Sequence, residues 1–88
     1  MSKNFWEARR ECLEALDKQR TLLAEHNQNL EVYRLAQASL SERVSDESAD
    51  ALQQAVTRET ANVNRIKADI SSIERVLKER YSLAPATV

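Results

Sequence analysis

The chain has 88 residues, including 13 lysines and arginines and 14 aspartates and glutamates, and its formal net charge is −1. It contains no glycine and one proline, so few positions favour a turn or a strand, and we predict an all-α chain. Acidic and basic residues are interleaved, which gives no general case for a nucleic-acid or membrane-surface face. The lack of glycine also excludes a Gly-rich phosphate loop.

We expect a single domain over residues 1–88, and a domain this small buries a limited fraction of its surface. No apolar run is long enough to span a membrane, and residues 1–4 lack the apolar core of a signal peptide. Cys12 has no second cysteine for an intrachain disulfide, which fits a reducing compartment. We therefore expect a cytoplasmic location, in the producing cell or in a host.

The first predicted helix covers residues 4–43. Asn4 is suited to accept a hydrogen bond from a first-turn amide, and Glu7 follows three residues later, as in a capping box. From Cys12 onward, steps of three and four residues mark a packing face of the coiled-coil type. This face consists of Phe5, Cys12, Leu16, Gln19, Leu23, His26, Leu30, Tyr33, Gln37, Leu40 and Val44.

A short turn is predicted at residues 44–47. The seven-residue repeat of the first helix would continue to Ala51, whereas the repeat of the second helix places the equivalent position at Ala49. A slip of two residues fits poorly into a continuous supercoil, and a turn absorbs it readily. Ser45 and Asp46 both favour the N-cap position, so we expect one of them to begin the second helix.

The second predicted helix covers residues 47–81 and carries the clearest repeat in the chain. Its packing face consists of Leu52, Val56, Glu59, Val63, Ile66, Ile70, Ile73 and Leu77. Every member is a branched aliphatic residue except Glu59, so this helix needs an apolar partner. Residues 82–88 include the single proline and are predicted to form a frayed tail.

Two helices of similar length and a short link predict an antiparallel two-helix hairpin that resembles a coiled coil. Residues whose numbers add up to about 89 or 90 should then face each other. This register gathers His26, Tyr33 and Glu59, which we interpret as polar residues that fix the alignment of the helices. One histidine and one glutamate are too few for a metal or catalytic site, so we predict no cofactor, no metal and no enzymatic activity.

A hairpin cannot cover all of its own apolar residues. The candidates for binding a partner flank the packing faces or lie at the open end of the hairpin, and they are Phe5, Trp6, Leu13, Leu22, Val76 and Tyr81. We expect a homodimer, in which two hairpins complete a four-helix bundle. The alternative is a dedicated protein partner at the aromatic open end, since aromatic residues are enriched in binding hot spots.

These features predict a non-enzymatic module for helix-mediated protein association. Its outline resembles the small co-chaperones and needle-type subunits of bacterial type III secretion, and equally small phage-encoded proteins that block a host machine. The resemblance rests on size and helix arrangement, and it implies a chaperone or inhibitor with one protein partner. We expect no membrane partner; the remaining alternative, a nucleic-acid binder, would use Arg58, Arg65 and Arg75.

Overall fold

The computed structural model describes residues 4–40 and 45–82. In these ranges the chain forms two α-helices, α1 (Phe5–Ala38) and α2 (Asp46–Arg80), which pack against each other, and it forms no strand. The predicted all-α class and the two-helix hairpin are therefore confirmed. Neither helix, as far as the chain is described, is long and apolar enough to cross a membrane.

Contacts between the helices show that they run antiparallel. Near the open end, Arg9 Nε donates to the carbonyl oxygen of Tyr81 at 3.2 Å. Near the connection, Gln37 Nε2 donates to Gln53 Oε1 at 3.0 Å. In both pairs the residue numbers add up to 90, which is the register that the sequence predicts.

The N-terminus of α1 has the predicted cap. Asn4 is extended, with φ −78° and ψ 168°, and its Oδ1 accepts a hydrogen bond from the amide of Glu7 at 2.8 Å. The acidic Glu7 also lies in the first turn, where the helix dipole favours negative charge. Asn4 is therefore the N-cap of α1, as the sequence predicts.

The helix α1 ends at Ala38, earlier than the predicted end at residue 43. Ser39 is the C-cap: its hydroxyl donates to the Leu35 carbonyl at 2.9 Å, its amide is shared between the Leu35 and Ala36 carbonyls at 3.0 and 3.1 Å, and the Leu40 amide donates to the Gln37 carbonyl at 3.2 Å. A serine that bonds locally to the backbone competes with helix continuation. The last turn also contains no basic residue to stabilise the helix C-terminus. The predicted packing position Val44 lies outside the described residues.

The helix α2 begins one residue before its predicted start. Ser45 is the N-cap, its Oγ accepts from the amide of Ser48 at 3.2 Å, and Asp46 and Glu47 occupy the first turn. Residues 46 and 47, predicted to belong to the turn, are therefore helical. At the other end Tyr81 lies just beyond the helix rather than in its last turn. Position 44 of the predicted turn and residues 83–88 of the predicted tail lie outside the described ranges.

The core is a narrow line between the two helices. Its buried members are Leu16, Leu30, Ala55, Glu59, Val63 and Ile66, and their exposed fractions range from 4% to 8%. All of them except Ala55 belong to the predicted packing faces. Alanine gives no periodic apolar signal, so the sequence did not single out that position. The hairpin is 14 Å thick, and no described side chain is completely enclosed.

Replacing Leu30 with alanine should destabilise the hairpin, since its side chain is 7% exposed between the helices. We expect Leu30→Ala to lower the free energy of unfolding by about 3 kcal/mol, from lost apolar burial and the cavity left behind. The matched control is Leu35→Ala on the same helix, because Leu35 is 60% exposed. Urea unfolding followed by circular dichroism measures both variants, and equal losses would contradict this packing face.

Candidate functional site

A polar contact joins the helices near the middle of the hairpin. His26 Nδ1 and Glu59 Oε2 lie 2.6 Å apart, and the two side chains are 27% and 10% exposed. An ionised carboxylate accepts hydrogen bonds and cannot donate them, so Nδ1 carries the hydrogen and donates it to Glu59. The only acidic residue of the α2 packing face therefore has a partner on α1.

The surroundings of Glu59 favour its ionised form. The hydrogen bond from His26 is the largest influence and lowers the pKa of the Glu59 carboxyl, whereas burial acts in the opposite direction. Attraction to His26, a 3.4 Å hydrogen bond from Asn62 Nδ2 and the charge of Arg58 lower the pKa further. The net result is a pKa below the usual glutamate value, so the buried carboxylate is charged at neutral pH.

The structure brings together two of the three residues predicted to fix the register. Tyr33 is half-buried on α1, but no hydrogen bond within residues 4–40 and 45–82 joins it to His26 or Glu59. The third residue of the polar contact is Asn62, whose Nδ2 donates to Glu59 Oε1. Its position, three residues after Glu59 on one helix, is a spacing at which side chains meet, so the sequence contained this signal. That the pair fixes the register stays a prediction.

The polar contact by itself provides two possible metal ligands. Within the described ranges no group of three or more histidine, cysteine, aspartate or glutamate side chains could hold a metal ion. Cys12 is a half-buried free thiol and lies at the open end of the hairpin, near Tyr81 rather than near His26. The arrangement around Glu59 is suited to aligning two helices.

Aromatic rings cluster at the open end of the hairpin. The rings of Phe5 and Trp6 meet edge to face with centroids 5.2 Å apart, and the centroids of Phe5 and Tyr81 are 5.6 Å apart. The hydrogen bond from Arg9 to the Tyr81 carbonyl holds the end of α2 against α1. Trp6 nevertheless remains 64% exposed, so a large apolar ring faces outward from an ordered cluster.

A groove of about 490 Å³ lies on one side of the hairpin near this end. Its lining includes three small residues, Ala8, Ala15 and Ser72, together with Cys12 and Ile73. The remaining lining residues are Glu11, Val76 and Tyr81. We call this side of the hairpin the groove face, and the groove provides a shallow, mostly apolar site.

The six predicted partner-binding residues fall into different parts of the surface. Leu13 and Leu22 are nine residues apart, which at about 100° per residue places them on opposite sides of α1. Leu22 follows Ala8 and Ala15 at seven-residue steps, so it belongs to the groove face together with Val76. Trp6 lies on the same side of the helix as Leu13.

The exposure of these six residues differs as well. Phe5, Trp6, Leu13 and Val76 are 37% to 64% exposed, whereas Leu22 and Tyr81 are half-buried. The two-helix hairpin thus leaves apolar side chains accessible both on the groove face and at the aromatic end. Whether any of them binds a partner stays a prediction.

Comparison with known proteins found no match: no protein-family model fits the chain, and no curated protein or solved structure is similar to it.

Acid should destabilise the hairpin through Glu59. Because folding lowers the pKa of this carboxyl, its charge contributes stability above the ordinary glutamate pKa of about 4.3. That contribution is lost as the pH falls through the lower folded-state pKa. We expect Glu59→Gln to be less stable than the wild type at neutral pH, and the difference to shrink on acidification. Urea unfolding at a series of pH values measures it.

Glu74→Gln is the matched control for this pH dependence. Glu74 Oε2 lies 3.5 Å from Arg20 Nη2, and both side chains are more than half exposed, at 52% and 59%. Exposed ion pairs contribute little to stability, so the pH profile of this variant should follow that of the wild type. A constant difference between Glu59→Gln and the wild type at all pH values would contradict the role assigned to Glu59.

Replacing the polar pair with leucines should weaken the alignment of the helices without unfolding them. Apolar replacement of a buried polar pair is often neutral or stabilising, but it removes a contact that selects one register. We expect the double variant His26→Leu, Glu59→Leu to be at least as stable as Glu59→Leu alone, and to show more than one set of amide NMR signals. A single set of signals would contradict the predicted role in register.

Proposed function

We propose that this protein is a non-enzymatic module that acts by helix packing against another protein, and that it forms a homodimeric four-helix bundle. The single observation that carries this proposal is the surface that the hairpin leaves open. Its accessible surface is 7138 Å² for a mass of 10.0 kDa. A compact monomer of this mass exposes roughly 5,200 Å², so roughly 1,900 Å² more is exposed than expected.

The chemistry of the open surface supports association. Burying one large apolar side chain contributes about 2 kcal/mol, which is a large share of the stability of a small domain. Among residues 4–40 and 45–82, the large apolar side chains that are 37% to 64% exposed are Phe5, Trp6, Leu13, Val32, Leu35 and Val76. Five of them lie on α1 and Val76 lies on α2, so an extended helical surface fits them better than a small ligand does.

The aromatic end favours a second candidate function, a chaperone or inhibitor that binds one specific protein. Trp6 is 64% exposed while its ring contacts Phe5, so it is both held in place and accessible. Tryptophan is enriched in binding hot spots, and an ordered ring loses little conformational entropy on binding. In this alternative the hairpin is monomeric until it meets its partner.

Light scattering over a wide range of protein concentration separates these two functions. Self-association predicts a mass approaching twice 10.0 kDa as the concentration rises. A mass that stays at one chain at every concentration would overturn the homodimer and favour the single-partner alternative. Trp6→Ala then tests that alternative, since it should abolish capture of a partner from the native cell or host.

A further inference from the structure

The groove face carries charged residues on both helices beside its apolar groove. On α1, seven-residue steps from Glu11 lead along the same side of the helix to Lys18, Glu25 and Val32. On α2, Arg65 lies seven residues before Ser72, and Asp69 lies seven residues before Val76, so both lie on the groove face. Within residues 4–40 and 45–82, Lys18, Glu25 and Asp69 take part in no ion pair. These charges are therefore available to a second molecule.

We propose that the groove face packs against the groove face of a second copy of the chain, about a twofold axis that crosses the helices at right angles. The α1 helices then lie side by side and antiparallel, and the two helix connections point to opposite ends of the dimer. This inference rests on the proposed homodimer. It adds which face of the hairpin is buried, that the two copies run antiparallel, and which residues lie opposite each other.

Charge complementarity sets the register along α1. Lys18 and Glu25 are opposite in sign and seven residues apart on the same side of the helix. An axis midway between them places Lys18 against Glu25 of the second copy, and Glu25 against Lys18 of the second copy. Leu22 then lies next to Leu22 of the second copy at the centre of the interface, where a half-buried apolar side chain becomes covered.

The same axis also pairs charges along α2. The register of the hairpin, in which facing residue numbers add up to about 90, places residues 68–69 of α2 level with residues 21–22 of α1, where the axis passes. Asp69 lies at this level on the groove face, and Arg65 lies four residues before it. The twofold axis therefore brings Arg65 toward Asp69 of the second copy, offset by about three residues or about 4.5 Å along the helix, a distance that the long arginine side chain spans. Arg65 also donates to Asn62 Oδ1 at 3.2 Å, which holds its guanidinium on this side.

The groove distinguishes this arrangement from the other twofold dimer. If the axis ran along the helices, α1 would face α2 of the second copy and the two grooves would lie against each other, leaving an unfilled space. Enclosed empty space costs free energy in proportion to its volume. The perpendicular axis instead places Val32 of the second copy level with Glu11, over the groove. Val32 is 57% exposed in the hairpin, and its side chain would fill part of the 490 Å³.

The size of the face is sufficient for a stable dimer. Two helices about 10 Å across and about 50 Å long present a face of roughly 1,000 Å². A stable interface of standard size buries about 800 Å² on each partner. Small residues assist the packing, because the perpendicular axis sets Ala8 against Ala36 of the second copy and lets the backbones approach closely.

A charge exchange on α1 is the decisive test. Lys18→Glu and Glu25→Lys should each weaken the dimer on the order of tenfold, because two symmetry-related pairs become repulsive in every dimer. The double variant Lys18→Glu, Glu25→Lys should restore wild-type dissociation, since the exchanged charges pair again across the axis. Sedimentation equilibrium measures the dissociation constants.

Lys78→Glu is the matched control for the charge exchange. Lys78 follows Glu74 by four residues, as Lys18 follows Glu14, so the two changes disturb their own helices similarly. Lys78 lies away from the groove face, and its replacement should leave the dissociation constant unchanged. Equal weakening by Lys78→Glu and Lys18→Glu would overturn the proposed contact.

The double variant also separates the two possible twofold dimers. With α1 against α2 of the second copy, Lys18 would face Asp69 and Glu25 would face Arg65, so the double variant would be weaker than either single variant. That outcome would overturn this inference and leave the proposed homodimer standing. A wild-type chain that stays monomeric would instead overturn both.

A disulfide at the axis provides an independent test in a Cys12→Ser background. Leu22→Cys should form a covalent dimer under copper-phenanthroline oxidation, because a disulfide needs Cα atoms within about 7 Å. Leu13→Cys, on the opposite side of the same helix, should stay uncrosslinked. A Leu22→Cys protein that is dimeric by light scattering but forms no disulfide-linked dimer would overturn the central position of Leu22.

Discussion

Each helix of this hairpin has one neighbouring helix, and this constraint governs the rest of the structure. One layer of helices 14 Å thick can bury a single line of side chains, so even the best covered residue, Val63, is 4% exposed. A thin core contributes limited free energy, and the apolar residues beside it face solvent. The need for further burial therefore follows from the number of helices as well as from the particular residues on their surfaces.

The buried acid Glu59 is predicted to hold the two helices in one alignment. A continuous aliphatic line between two long helices could slide by one heptad with little change in buried area, since the repeat looks similar at each step. Glu59 interrupts this line, and its partner His26 meets it at one alignment of the helices. Asn62 and Arg58 further stabilise the carboxylate, so the interruption is compatible with burial.

The two uncovered regions differ in what they can bind. The aromatic end is a small ordered cluster around Phe5, from which Trp6 extends into solvent, and it suits a pocket on another protein. The groove face is long, contains small residues and carries charges of both signs, as expected of a helix-packing surface. A dimer through the groove face would leave Trp6 and Leu13 on the other side of α1, so both regions could operate in one protein.

The sequence alone determined the helical class, the packing positions and the antiparallel register, because these follow from periodicity, from the absence of glycine and from a two-residue slip in the repeat. It also identified His26 and Glu59, since each interrupts a packing face. The tertiary structure decided three features that depend on where side chains lie: Asn62 rather than Tyr33 contacts Glu59, Ser39 caps the end of α1, and a groove lies beside small residues. Alanine and serine give weak sequence signals, because the space they leave empty is visible only once a second helix borders it.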